Sequence, residues 1–192
     1  MKNKFIINLI GLLMPCLASA QSAYQQGDNV LSLGLGLGSS YGSFTYAHQS
    51  PAINVQYERG IWPLGSGVVS LGGYAGYKTF GYTAGYYGGY TYTENWRYTI
   101  LGLRGAWHLQ ELGGHELKKW DLYGGVMLSY NVLNYTYTDN DPYWDYAGGG
   151  YGSGAGFAGF LGARYFFRNR FAVMGEVGYG IAYLNIGAAF KF

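Results

Sequence analysis

Hydrophobic and polar residues alternate with a period of two along most of this chain, which is the pattern of strands with two unlike faces. Residues 30–38 read VLSLGLGLG, placing Leu31, Leu33, Leu35 and Leu37 on one face and Ser32 with glycines on the other. Ile53, Val55 and Tyr57 then oppose Asn54, Gln56 and Glu58; Val69, Leu71, Ala75 and Tyr77 oppose Ser70, Gly72, Tyr74 and Lys78. A fourth run sets Leu101, Leu103 and Trp107 against Gly102, Arg104 and His108. A fifth sets Trp120, Leu122, Val126 and Leu128 against Asp121, Tyr123, Ser129 and Asn131. Phe157, Leu161, Ala163 and Tyr165 oppose Gly156, Gly162 and Arg164, and Phe171, Val173 and Val177 oppose Met174 and Glu176. The last run sets Leu184, Ile186, Phe190 and Phe192 against Asn185, Gly187 and Lys191. The pattern predicts an all-β chain of eight antiparallel strands, each near the ~9–11 residues of a tilted membrane crossing.

The polar set decides between a soluble barrel and a membrane barrel. Turned outward, it would make a surface unusually poor in charge. Turned inward, Glu58, Lys78, Arg104, Asp121, Arg164, Glu176 and Lys191 become a lumen set nearly balanced in sign. Dehydrated charges need partners, so mutual pairing is expected of them. The apolar face then meets lipid, and the fold is an up-and-down transmembrane β-barrel over residues 30–192.

The connections agree with that layout. Residues 39–51, 79–95 and 132–153 are long outer loops, with a short fourth near Tyr179; 60–67, 109–119 and 167–170 are periplasmic turns. Aromatics fall where interface girdles belong: Trp107, Trp120, Tyr165, Phe171, Phe190 and Phe192 at one end, Tyr77, Tyr98, Tyr130 and Tyr179 at the other. Tyr90-Thr91-Tyr92-Thr93 and Tyr135-Thr136-Tyr137-Thr138 read as strands continuing outward as hairpin arms.

The N-terminus changes the picture. Lys2 and Lys4, the apolar run FIINLIGLL and Ala18-Ser19-Ala20 predict a signal peptide over residues 1–20, cleaved near Ala20. Residues 21–29 are then a short periplasmic segment. A lipidated Cys16 is the rival, and Pro15 fits that processing poorly. Cleavage removes Cys16, the single cysteine, and with it disulfides, thiolate metal sites and cysteine nucleophiles. It also takes the basic count from 12 to 10, against 10 acidic residues, which leaves no basic face for nucleic acid. The 34 glycines and 22 tyrosines, with few charges, suit a barrel better than a disordered chain.

Candidate chemistry is sparse, and no cofactor is implied. His48 and Ser50 form a His-x-Ser pair without an identifiable third member. His108 is read as a hydrogen-bonded lumen histidine and His115 as a solvated turn residue. Asp139, Asn140, Asp141 and Asp145 offer oxygen ligands but lack a recognised calcium spacing, and turn chemistry explains them. The glycine runs lack phosphate-loop spacing.

The final residues carry a more specific signal. Asn185, Gly187, Phe190 and Phe192 are spaced like the C-terminal β-signal of outer-membrane proteins. With the strand layout, the chain resembles the small OmpA/OmpX-like outer-membrane barrel family, whose members are often labelled porin-like. The resemblance implies a bacterial outer-membrane location, outer-membrane lipid around the barrel, and handling by the barrel-assembly machinery during biogenesis. It spans residues 30–192 and has no counterpart of a peptidoglycan-binding domain. The function expected is a non-enzymatic barrel with a side-chain-filled lumen and a structural or surface role. The alternative is an adhesin or ligand-binding barrel, reaching an extracellular partner through loops 79–95 and 132–153; a lipid A-modifying enzyme ranks below both.

Overall fold

The computed structural model describes residues 23–38, 48–85, 88–140, 152–179 and 182–192. Eight barrel strands follow one another: β1 Asn29–Leu37, β2 Ala52–Leu64, β3 Gly67–Gly85, β4 Thr91–Leu109, β5 Trp120–Asp139, β6 Gly154–Phe166, β7 Phe171–Tyr179 and β8 Leu184–Lys191. Each pairs antiparallel with its chain neighbours, and β1 pairs with β8 from Val30↔Lys191 to Leu37↔Leu184. The sheet is thereby a closed meander in the membrane-crossing part, which removes the edges an open sheet would leave.

Alternation becomes inside and outside. Leu103 and Leu161 are 77% and 67% exposed on the exterior, beside Leu33, Leu128, Phe157 and Val173. Gln56, Glu58, Ser70, Arg104, His108, Asp121 and Arg164 are buried in the lumen. That is the reverse of a water-soluble barrel, and it places an apolar band where a bilayer would contact it. Two lumen glycines face large rings: a Cβ on Gly162 would lie 2.3 Å from the Tyr123 ring, and one on Gly76 2.7 Å from the Tyr74 ring. Glycine there gives each tyrosine the room to lie across the lumen.

Three findings depart from the sequence expectations. The strands reach into the stretches expected as loops 79–95 and 132–153: β3 and β4 run 19 residues each, to Gly85 and from Thr91, and β5 runs 20, to Asp139. Pairing continues to Gly85↔Thr91 and Tyr92↔Asp139, so the expected hairpin arms hold at residues 91–93 and 135–138, while Tyr90 lies just outside the ladder. Tyr98 lies inward against the lumen cluster of Ile100 and Tyr123 instead of joining the outer girdle. The segment before β1 is buried in the barrel mouth, with Ala23 and Tyr24 among the best-covered apolar residues. The 109–119 turn carries a small exposed ladder, Glu111↔Glu116 and Leu112↔His115.

Candidate functional site

The lumen near the chain termini holds a connected charge network. Arg104 on β4 donates Nε–H to Glu58 Oε1 at 3.0 Å and Nη2–H to Glu176 Oε2 at 2.8 Å. Arg164 on β6 donates Nη1–H to Asp121 Oδ2 at 2.9 Å and Nη2–H to Glu58 Oε2. Glu58 thus bridges both guanidiniums, which also stack on rings: Arg104 lies 3.9 Å from the Phe160 centroid and Arg164 4.4 Å from that of Tyr123. Five of the seven predicted lumen charges meet here. The other two do not: Lys191 pairs with Asp28 at 3.2 Å and donates to the Ala23 carbonyl, while Lys78 donates to the Gly38 carbonyl at 2.5 Å and lies over Phe80. Lys78 sits six residues along β3 from Gly72, the position paired with both Glu58 and Arg104, too far for a carboxylate partner in the network. A backbone acceptor and a π face satisfy it instead.

One arrangement was invisible in the sequence. His108 donates Nδ1–H to Asp121 Oδ1 at 2.7 Å, and its Nε2 lies 2.9 Å from Ser70 Oγ. A serine, a histidine and an aspartate in this order satisfy the distances of a hydrolytic triad. Ser70, however, is fully buried, and Tyr24 stacks on the His108 ring with centroids 3.9 Å apart. Asp121 also serves Arg164. The three groups brace β3, β4 and β5 against one another, and no carbonyl can approach the hydroxyl while Tyr24 is seated.

Tyr24 belongs to a plug. Ala23 N–H donates to the Leu117 carbonyl at 3.0 Å, Gln110 Nε2 to the Tyr24 carbonyl at 2.8 Å, and Gln26 Nε2 to the Ile61 carbonyl at 2.9 Å. Gly27 N–H and Gly60 N–H pair residues 27–28 with the end of β2. Converting Tyr24 to Ala is expected to cost about 3 kcal/mol, in the range for removing a buried aromatic. It should also open His108 to diethylpyrocarbonate, which in the native protein modifies His48 and His115 alone. Equal protection of His108 in both proteins would show that residues 23–28 do not close this end.

Beside the network the lumen leaves a small cavity of ≈ 30 Å³ next to Tyr74, Arg104, Met127, Phe160 and Glu176. That is room for one or two waters.

Beyond the barrel, the ends of β3, β4 and β5 form a three-stranded sheet. The last β2–β3 barrel pair is Ile53↔Tyr77, followed among the described residues by His48↔Gly81 and Gln49↔Phe80. The β5–β6 ladder ends at Asn131↔Gly154. One face of the extension is aromatic: Trp96 packs on Tyr135 at 5.6 Å between centroids, and Tyr92 on Tyr82 and Tyr137 at 6.0 Å each. Tyr135 donates to Glu94 at 2.6 Å and Tyr137 to Asp139 at 2.9 Å. Local desolvation, with the Asp139 carboxylate its hydroxyl serves, pushes the Tyr137 phenol up to about 12. The other face carries Thr83 and Thr93, bonded at 3.1 Å.

The remaining candidates fall elsewhere. Ser50 Oγ accepts the Thr79 amide at 3.0 Å, so its hydroxyl caps a strand edge next to His48. Asn140 Oδ1 accepts the Thr91 amide, while Asp141 and Asp145 lie outside the described residues, among which no metal-ligand cluster occurs. In the terminal strand Asn185 faces inward and accepts from Asn54 at 3.0 Å, Gly187 faces inward with it, and Phe190 and Phe192 stack outside at 5.9 Å.

No family model matches this chain and no curated protein sequence matches it. Among solved structures, Ail, the attachment invasion locus protein of Yersinia pestis, in complex with the heparin analogue sucrose octasulfate, aligns over 88% of this chain and all of its own, with 9% identity and a TM-score of 0.46. The same outer-membrane protein in a phospholipid bilayer nanodisc aligns over 87% of this chain and all of its own, with 11% identity and a TM-score of 0.45. Values this low carry nothing about shared function.

Proposed function

We propose that this chain is a non-enzymatic integral barrel of a Gram-negative-type outer membrane that meets extracellular partners through the sheet projecting from β3, β4 and β5. The carrying observation is the length of those strands. Nineteen or twenty residues make roughly 60 Å of strand, about twice a tilted crossing. A bilayer accounts for half of that. The rest stays paired beyond the barrel rim, and among the described residues no strand pairs with residues 82–85 on the side facing away from β4. Strand edges and aromatic faces are the features that extended partners add to.

The signal-peptide pattern and the C-terminal Asn185, Gly187, Phe190 and Phe192 support export, cleavage near Ala20 and recognition by the barrel-assembly machinery. The plug, the charge network and the small cavity support a lumen filled by side chains, as expected for eight strands. Large, stable conductance steps in planar bilayers would contradict that. The burial of Ser70 beneath Tyr24 supports the absence of a reaction.

Replacing residues 83–93 by Asn-Gly tests the role directly. Tyr82 and Glu94 are cross-strand partners, so a two-residue turn between them shortens the projection and leaves the barrel intact. Cells carrying this variant are expected to lose surface binding by tenfold or more, with unchanged barrel assembly. Undiminished binding would remove the sheet from the function.

A further inference from the structure

On the exterior, just past the girdle, lies a polar recess lined by residues of β3, β4 and the short strand before β2. Thr79, Gly81, Asn95 and Arg97 form its wall on β3 and β4, and the short His48–Gln49 pair forms its rim. Gly81 makes the depression: a Cβ there would come within 3.3 Å of Asn95 Oδ1 and 3.8 Å of the His48 Cβ. Arg97 points outward, since its inward neighbours Trp96 and Tyr98 pack on Tyr135 and Phe80.

Depth and charge identify the occupant. The girdle tyrosines Tyr77 and Tyr130 pair with Thr99 and Leu101, and Thr79 pairs with Arg97 two residues farther out. Two residues of tilted strand are about 5 Å along the bilayer normal, which sets Arg97 at headgroup level. Among the described residues, Arg97 is the one Lys or Arg on the outward face at this end, and no carboxylate shares that face: Glu94 and Asp139 turn inward to Tyr135 and Tyr137. No described group forms a salt bridge with Arg97. A planar guanidinium beside amide, hydroxyl and imidazole donors, with apolar surface immediately below, matches a tetrahedral oxyanion carried on acyl chains.

We infer that this recess binds the phosphate of an outer-leaflet lipid headgroup, with Arg97 as the bidentate anchor and Asn95 and His48 as flanking donors. The inference rests on the proposed orientation of the barrel. It names what the rim holds, and thereby what fixes the projecting sheet relative to the membrane surface. Lipid bound there would buttress the base of β3 and β4, where they leave the bilayer.

The test is native mass spectrometry of the full mature protein in detergent, titrated with bisphosphorylated lipid A and with the same lipid after phosphate removal. Wild type is expected to retain the phosphorylated lipid at least tenfold better than the dephosphorylated one. Arg97→Gln should abolish that preference, Arg97→Lys should keep part of it, and Arg170→Gln, in the turn at the opposite end, should leave it unchanged. Where Arg97→Gln does not fold, Asn95→Ala is expected to weaken retention in the same sense. Equal retention by wild type and Arg97→Gln would overturn the site. Full displacement of the lipid by an equal concentration of inorganic phosphate would overturn the lipid as its source. Detergent binding does not depend on orientation, so protease protection of the projecting sheet on whole cells would sink the proposed topology while leaving this result standing.

Discussion

Replacing Glu58 with Ala is expected to destabilise the barrel by on the order of 3–5 kcal/mol, the cost of stripping the partner from buried charge. Glu58 is the one carboxylate that serves both guanidiniums, and it is 1% exposed. Its loss leaves Arg104 with Glu176 alone and Arg164 with Asp121 alone, in a lumen whose small cavity cannot hydrate them fully. Glu176→Gln should cost clearly less, because that side chain touches the cavity, serves only Arg104 among the charged groups and keeps a neutral acceptor after substitution. Reversible urea unfolding in lipid vesicles measures both. Equal, small losses would mean that the ion pairs contribute little beyond filling space.

The second large effect comes from the opposite face. Leu103→Arg is expected to cost about 2–4 kcal/mol, the range for an arginine on the lipid face near the bilayer midplane. Leu103 is 77% exposed, so in a water-soluble barrel the same change would be neutral within about 0.5 kcal/mol. Leu112→Arg is the control. Leu112 is also more than half exposed, but in the small ladder of the 109–119 turn, where water surrounds it and no loss is expected.

The parts of the fold that lipid dictates were legible in the sequence, because hydrocarbon outside and polar groups inside leave a sharp period of two. Leu101, Leu103 and Arg104 announce their faces unaided. Where neither face meets lipid the contrast fades. Residues 79–95 alternate tyrosine with threonine and glycine, a weak hydropathy signal: it reads as hairpin arms but does not fix how far the pairing runs or which strands share it. Tyr98 was misplaced for a related reason, since an amphipathic ring suits a girdle and a lumen equally well.

The plug and the Ser70–His108–Asp121 chain were hidden by distance. Tyr24 sits in a polar stretch before any strand, and its partner His108 lies far along the sequence. Ser70 meets its histidine 38 residues on through strand register, which no local spacing reveals. Lys191 pairs with Asp28, which lies before the first strand, in the stretch whose sequence reads only as a short periplasmic segment. Only barrel closure brings the two ends of the chain together.

The whole account depends on which face of the strands is wetted by lipid, and β4 offers the cleanest scan. Nitroxide labels placed one at a time at residues 99–107, in barrel reconstituted into vesicles, report collisions with oxygen, which concentrates in hydrocarbon, and with a water-soluble nickel chelate. Oxygen collisions should peak at 101, 103 and 105, alternate with protected even positions, and fade towards both ends of the series as nickel collisions rise. Peaks at 100, 102 and 104, or nickel access at Leu101 and Leu103 equal to that of a surface loop, would contradict it.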